Sequence, residues 1–146
     1  MNITQDEADN LLQMDKRRID EQVWEFPGPG ESLSVPLTSS DGREEFALDL
    51  YRGQIVLAKC TYQNRARHAI VLARVDISGS PHRNPDGQIV SCPHLHVYRE
   101  GYADKWAQPL PAEVFTKPAD CWQTLDDFMD FCHVTEPPFF QRGLPI

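Results

Sequence analysis

The 146 residues carry 40% apolar and 25% charged side chains and a net charge of −8, the profile of one ordinary globular domain with enough chain to bury a hydrophobic core. That balance excludes a disordered tail, and the acidic sum argues against binding duplex nucleic acid over the whole surface. The longest apolar runs, Gln54 to Ala58 and Ala69 to Ala73, are far too short to cross a bilayer.

The N-terminal Met1-Asn-Ile-Thr-Gln-Asp-Glu7 has neither the basic nor the apolar region of a secretory leader, so a cytoplasmic location is expected. Thr4 and Glu7 have the spacing of a capping box and Leu11, Leu12 and Ile19 form a weak apolar stripe, which predicts an amphipathic helix from residue 4 to about 18. Pro27-Gly-Pro-Gly30 reads as a loop, and Leu33, Val35 and Leu37 then alternate with Ser32, Ser34 and Pro36 as in an edge strand. After the turn signal Ser39-Ser-Asp-Gly42, Phe46, Leu48 and Leu50 alternate with Ala47, Asp49 and Tyr51 as a second strand. Arg52-Gly53-Gln54 predicts a tight return into a strand from Ile55 to Gln63, and residues Asn64 to Arg67 connect it to another from Ala69 to Asp76. A Gly/Pro-rich loop from Ser78 to Asp86 leads to a last strand around His94 to Arg99, and a short amphipathic helix is expected near Thr124 to Cys132. The fold class is therefore α+β, a single domain over residues 1–146, with an antiparallel β-sheet meander, an N-terminal helix and a short C-terminal helix.

Cys60, Cys92, Cys121 and Cys132 show no CxxC or regular spacing and are expected as reduced thiols. Between Arg52 and Val75 there is no Asp or Glu, while Arg52, Lys59, Arg65, Arg67 and Arg74 fall there with His68. Acid gathers in the first helix and at Asp120, Asp126, Asp127 and Asp130. A basic face on an acidic body could attract phosphate; solvated strand positions would give the same pattern.

The strongest constellation is Pro81-His82 followed by Cys92-Pro93-His94-Leu95-His96-Val97-Tyr98. Alternation along a strand puts His94, His96 and Tyr98 on one face and Leu95 and Val97 on the other. If the Ser78 to Asp86 loop folds back, His82 joins them, with Arg74 and Asp76 nearby. Two chemistries suit such a cluster. In one, imidazoles act as general base and acid while a ribose 2′-hydroxyl attacks its own phosphate, with no metal cofactor. Lys59, Arg65, Arg67 or Arg74 would bind the phosphate, and Tyr62 or Tyr98 could stack on a base or donate a hydrogen bond. In the other, His94 and His96 ligate Zn²⁺ with His82 and Cys92. Histidines that merely support the loop are the third possibility. No P-loop, dinucleotide glycine fingerprint, GxSxG or EF-hand pattern is present, which argues against nucleotide hydrolysis, hydride transfer and serine-hydrolase chemistry.

The stretches Lys59 to Arg65, Pro81 to Gly87 and Cys92 to Trp106 resemble a family of small bacterial proteins with a domain of unknown function. The order Asp76, Pro81-His82, Pro93-His94-x-His96 is similar to the core of the TumE-like toxins, small RNases paired with antitoxins, and departs from it in the long insert before His94 and in the basic meander. That resemblance implies RNase roles for His82, His94 and His96 by analogy. The expected function is a metal-independent endoribonuclease of toxin or phage-defence type, with RNA and an antitoxin as partners and no membrane. The alternatives are a non-enzymatic interaction or regulatory module, or a His/Cys metal-binding protein.

Overall fold

A computed structural model describes residues 2–55 and 59–142. Thr4 caps helix α1 (Gln5–Gln13) as its spacing predicts, its hydroxyl accepting from the Glu7 N–H at 3.2 Å. The helix stops short of the expected residue 18, because Met14 turns extended and Lys16 begins a strand. The chain continues through β1 (Lys16–Arg18), β2 (Val23–Glu25), β3 (Ser32–Ser39), β4 (Glu45–Arg52), β5 (Cys60–Ala66), β6 (Ile70–Ile77), β7 (His82–Arg83), β8 (Ile89–Val90), β9 (His94–Val97) and β10 (Ala107–Pro109). It ends in α2 (Cys121–Phe131), β11 (Val134–Glu136) and β12 (Phe139–Gln141). Asp120 starts α2 earlier than expected, its carboxylate accepting from the Trp122 and Gln123 N–H groups.

The α+β expectation holds: an eight-stranded sheet in the order β10-β9-β6-β5-β4-β3-β1-β11 is antiparallel throughout except where β1 runs parallel to β11. Its meander β3 to β6 follows the predicted alternation, with four differences. β3 is an interior strand, flanked by β4 and β1, and Pro36 is tolerated because β1 pairs only with Leu37, Thr38 and Ser39, leaving the missing N–H without a ladder partner to disappoint. The tight return at Gly53 does not occur, since β5 begins only at Cys60; the expected strand start at Ile55 abuts residues 56–58, which lie outside the described residues. Asn64 and Arg65 belong to β5, and the turn is the three-residue loop Arg67, His68 and Ala69 between the paired Ala66 and Ile70, its first two residues at positive φ (51° and 68°). The strand at His94 is not the last, because β10, β11 and β12 follow it.

One face of the sheet is apolar. Leu48, Leu50, Tyr62, Val75 and Leu95 meet Leu11 of α1 and Leu125 and Phe128 of α2 in a single core, each aliphatic or aromatic side chain contributing about 1.5–3 kcal/mol by leaving water. The expectation of four reduced thiols is corrected here. Cys60 and Cys121 are joined by a disulfide between the start of β5 and the first turn of α2, while Cys92 and Cys132 are free. Both bonded cysteines face the core from elements packed on each other, so tertiary contact pairs thiols 61 residues apart.

At the other end of the helices, Lys16 is fully buried and its ammonium donates to the carbonyls of Leu12, Met14 and Cys132 at 2.7–2.9 Å. One cation therefore satisfies the C-terminal ends of both helices, where carbonyls are left over and the helix dipole is negative. Burial pushes its pKa down to about 8, with Cys132 and Asp15 opposing the shift.

The opposite face is polar, and the register lines it in two rows. Ser34, Asp49, Gln63, Arg74 and His96 are successive cross-strand partners in one; Ser32, Tyr51, Thr61, Asp76 and His94 are in the other. In the first row the Arg65 guanidinium donates to both oxygens of Asp49 at 2.7 and 3.0 Å, and Gln63 and Ser34 donate to the same carboxylate. Burial pushes the Asp49 carboxyl up, but these hydrogen bonds and the Arg65 charge outweigh it and hold it below its usual range.

Replacing Lys16 by Met should cost about 3 kcal/mol of folding free energy, since three buried carbonyls lose their donor; denaturant unfolding measures it, and a loss below about 1 kcal/mol would mean that water substitutes for the ammonium. A depressed carboxyl contributes stability above its unfolded pKa, near 4, and loses it as the pH falls through its folded value. Asp49→Asn is therefore expected to be less stable than the parent by about 1–2 kcal/mol at pH 7, with the gap narrowing below about pH 4 in the same unfolding measurement.

Candidate functional site

The two polar rows end at β6 and β9, where Arg74 lies opposite His96 and Asp76 opposite His94. Antiparallel partners and residues two apart share a face, so all four side chains gather on the side of the sheet away from the helices. The segment between β6 and β9 folds back over them. It does so through the β7–β8 hairpin, which Asn84 ties to the head of β10: its amide donates to the Ala107 carbonyl at 2.9 Å and its side-chain oxygen accepts the Ala107 N–H at 2.8 Å. His82, on β7, is thereby brought to the cluster, with its Nε2 2.7 Å from the Lys105 carbonyl. The ring centroids of His82, His94 and His96 lie 4.7–6.0 Å from one another.

Asp76 is the hub. Its Oδ2 sits 3.0 Å from His94 Nε2, 3.2 Å from His96 Nε2 and 3.4 Å from Arg74 Nε, and its Oδ1 accepts from the Thr61 hydroxyl at 3.1 Å. Burial pushes this carboxyl up, but the His96 ring within hydrogen-bonding distance and the charge of Arg74 outweigh it and hold it well below the ordinary carboxylate range. His96 Nδ1 faces the Asp104 carbonyl at 2.8 Å, so that nitrogen carries a proton. The Arg74 guanidinium lies 3.1 Å from the other ring nitrogen, Nε2, while holding the Asp104 carboxylate at 2.8 Å. Asp76 and Arg74 therefore meet at the same nitrogen of His96, which donates to the carboxylate when protonated and accepts from the guanidinium when not. The same logic puts a proton on His82 Nε2.

His82, His94 and His96 do come together, but with different access. His96 is fully buried and His94 is 2% exposed, whereas His82 is half-buried and Asp76 keeps 23% of its side-chain exposure. Tyr98 does not join them. The β5–β6 register slips between Asn64 and Arg65, the Tyr98 N–H donates to the Leu72 carbonyl, and the Tyr98 ring enters the core with its hydroxyl bonded to Ile3. Tyr98 lies just past the end of β9, opposite the extra residue Leu72 of the β5–β6 irregularity, where strand alternation no longer sets its face.

Among the expected substrate-binding residues, Tyr62 is buried with its hydroxyl donating to the Cys121 carbonyl, so it offers no ring for a base to stack on. Arg65 is spent on Asp49, and Arg67 on Glu44 and Glu7 at 2.7–2.9 Å. Acid from neighbouring elements neutralises the basic stretch that looked unopposed along the chain. Arg74 is part of the cluster, and Lys59 is exposed and close enough for its charge to act on Cys92. Cys92 itself is no member of the ligand set expected for a metal, since its Sγ donates to the Asp76 main-chain carbonyl at 3.2 Å. Asp76, His94 and His96 are instead the residues that could hold an ion, their ligand atoms lying within 4.8 Å of one another.

Two contributors escape sequence reasoning. Asp104 sits in the charged turn from Arg99 to Trp106, held by the Arg99–Ala103 bridge and by Arg99 stacked 4.1 Å over the Trp106 ring. Asn84 sits in what reads as plain loop. The Asp76 signal was present: two residues after Arg74 on a strand, it had to share that face.

No helix is long and apolar enough to cross a membrane among the described residues. No curated protein and no solved structure matches the chain, and the comparisons show no relation to the TumE-like toxins. A family model covers residues 3–134, from α1 to the start of β11 and so across every residue of the cluster: the chain belongs to a family of unknown function, DUF6978.

Proposed function

We propose that this protein is an endoribonuclease that cleaves RNA at the mouth of the Asp76 cluster. The observation that carries this reading is the clustering of three imidazoles, from positions 82, 94 and 96, with ring centroids 4.7–6.0 Å apart, beside a guanidinium, Arg74, that lies 3.1 Å from His96. His82 is the group that can reach a substrate. Its Nδ1 takes the proton of a ribose 2′-hydroxyl as O2′ bonds to phosphorus, the P–O5′ bond breaks, and O5′ takes a proton from water. The products are a 2′,3′-cyclic phosphate and a 5′-hydroxyl. Arg74, with 26% of its side chain exposed, and Lys59 supply positive charge where the phosphorane develops negative charge. His94 and His96 are too deeply buried to exchange protons with an RNA strand, and their part is to fix Asp76 and Arg74 behind His82.

Such an activity suits a toxin or a phage-defence factor acting on cytoplasmic RNA, and the acidic surface suits a basic neutralising partner. The test is to incubate the purified protein with a defined RNA and map the new ends. His82→Ala should slow cleavage by about 100-fold or more while the thermal midpoint stays where it was. His96→Ala should lose both activity and about 2–4 kcal/mol of stability, because it empties a buried, hydrogen-bonded site. Intact RNA after exposure to folded wild-type protein, or undiminished cleavage by His82→Ala, would refute the reading.

A further inference from the structure

The Asp76 cluster brings three donor atoms to one point. The Oδ2 of Asp76 faces two imidazole nitrogens at 3.0 and 3.2 Å, and the three atoms lie within 4.8 Å of one another. The outer nitrogen of His96 is taken by the Asp104 carbonyl on the far side of the ring, which turns its Nε2 toward the carboxylate. The space that these three atoms share is a place for positive charge.

The geometry points to a divalent first-row transition-metal ion in that place, held by Asp76 Oδ2, His94 Nε2 and His96 Nε2. Two neighbouring ligands each about 2.1 Å from a metal are about 3.0 Å apart in octahedral and about 3.4 Å apart in tetrahedral geometry, so both measured N···O separations have the length of a coordination edge. Two imidazoles and one carboxylate suit Zn²⁺, Fe²⁺, Mn²⁺ or Co²⁺ rather than Ca²⁺ or Mg²⁺, which prefer oxygen alone. Two of the three ligands are held from behind as in a metal site. The backbone carbonyl of Asp104 holds the outer nitrogen of His96, and the Thr61 hydroxyl holds the other oxygen of Asp76, which aims the remaining donor atoms inward, while the outer nitrogen of His94 is buried without a partner.

Arg74 does not close the site. Its Nη2 and Nε groups reach His96 and Asp76 at 3.1 and 3.4 Å, while Nη1 is anchored on Asp104 at 2.8 Å. An ion would displace the first two contacts and leave the third, freeing the guanidinium for an anionic substrate. Three protein ligands leave positions open for water and for a phosphate oxygen, and an ion there would act as a Lewis acid behind His82. For the ion's use in catalysis this rests on the RNA-cleavage reading above; for its binding it does not.

The experiment strips the full chain with a chelator and titrates it with Co²⁺, followed by visible absorption. One ion per chain is expected, with the thermal midpoint rising on saturation. Asp76→Asn, checked for folding by circular dichroism, should weaken binding by at least about 100-fold, whereas the double variant His68→Ala/His133→Ala, which removes exposed histidines far from the cluster, should bind as the parent does. Should Asp76→Asn fail to fold, Cu²⁺ bound to the parent chain still reports the donors, and its electron paramagnetic resonance spectrum should carry coupling to two imidazole nitrogens. Absence of stoichiometric binding, full binding by folded Asp76→Asn, or a spectrum without imidazole coupling each overturns the proposal. Binding without RNA cleavage would retire the RNA reading alone; cleavage by stripped protein that takes up no ion would retire the metal alone.

Discussion

The register of β6 against β9 governs the rest of this molecule. With Asp76 opposite His94 and Arg74 opposite His96, one face of the pair carries the carboxylate, two imidazoles and the guanidinium, and the other carries Val75 and Leu95 into the core. Side chains alternate with a period of two, so a slip of one residue in β9 would drive both imidazoles among the helices and expose Leu95. Burial of Leu95 thus helps hold the polar cluster in place. The hydrophobic core and the candidate site are two sides of the same pairing.

Burying ionisable groups is costly unless each finds a partner, and the chain meets that requirement by joining distant segments. Asp76 draws on β5, β6 and β9, and Arg67 on the turn before β6, α1 and the loop before β4. Lys16 draws its carbonyl partners from the ends of both helices. Much of the chain's positive charge is consumed internally in this way. Arg74, the guanidinium closest to the buried imidazoles, is partly exposed as Arg65 and Arg67 are, but it touches an imidazole as well as carboxylates, groups whose charge state a ligand could change.

The loop between β6 and β9 adds what the sheet cannot. A strand pair offers at most a flat row of side chains, and it is the β7–β8 hairpin, pinned by the reciprocal Asn84–Ala107 bonds, that turns the row into an enclosed cluster with His82 at its rim. The turn from Arg99 to Trp106 closes the opposite side by supplying both the carbonyl and the carboxylate of Asp104. Rigid scaffold and loop covering together give two imidazoles shielded from water beside one that is not.

Local pattern was enough to read the capped first helix, the meander from β3 to β6 and the sharing of a face by His94 and His96, because strand alternation, turn chemistry and capping are properties of a few consecutive residues. Tertiary structure alone decided that His82 folds back over them and that Arg74 and Asp76 pair with them, which histidines are sealed, that Asp76 rather than Cys92 sits among them, that Tyr98 turns into the core past the end of β9, and that Arg65 and Arg67 are neutralised by acids on other elements. It also decided the Cys60–Cys121 pairing and the conversion of residues 16–18 from helix to strand. Each of these depends on which elements lie side by side, and burial, ion pairing and register are set by neighbours far away in the chain, about which a local stretch of sequence carries no physical information.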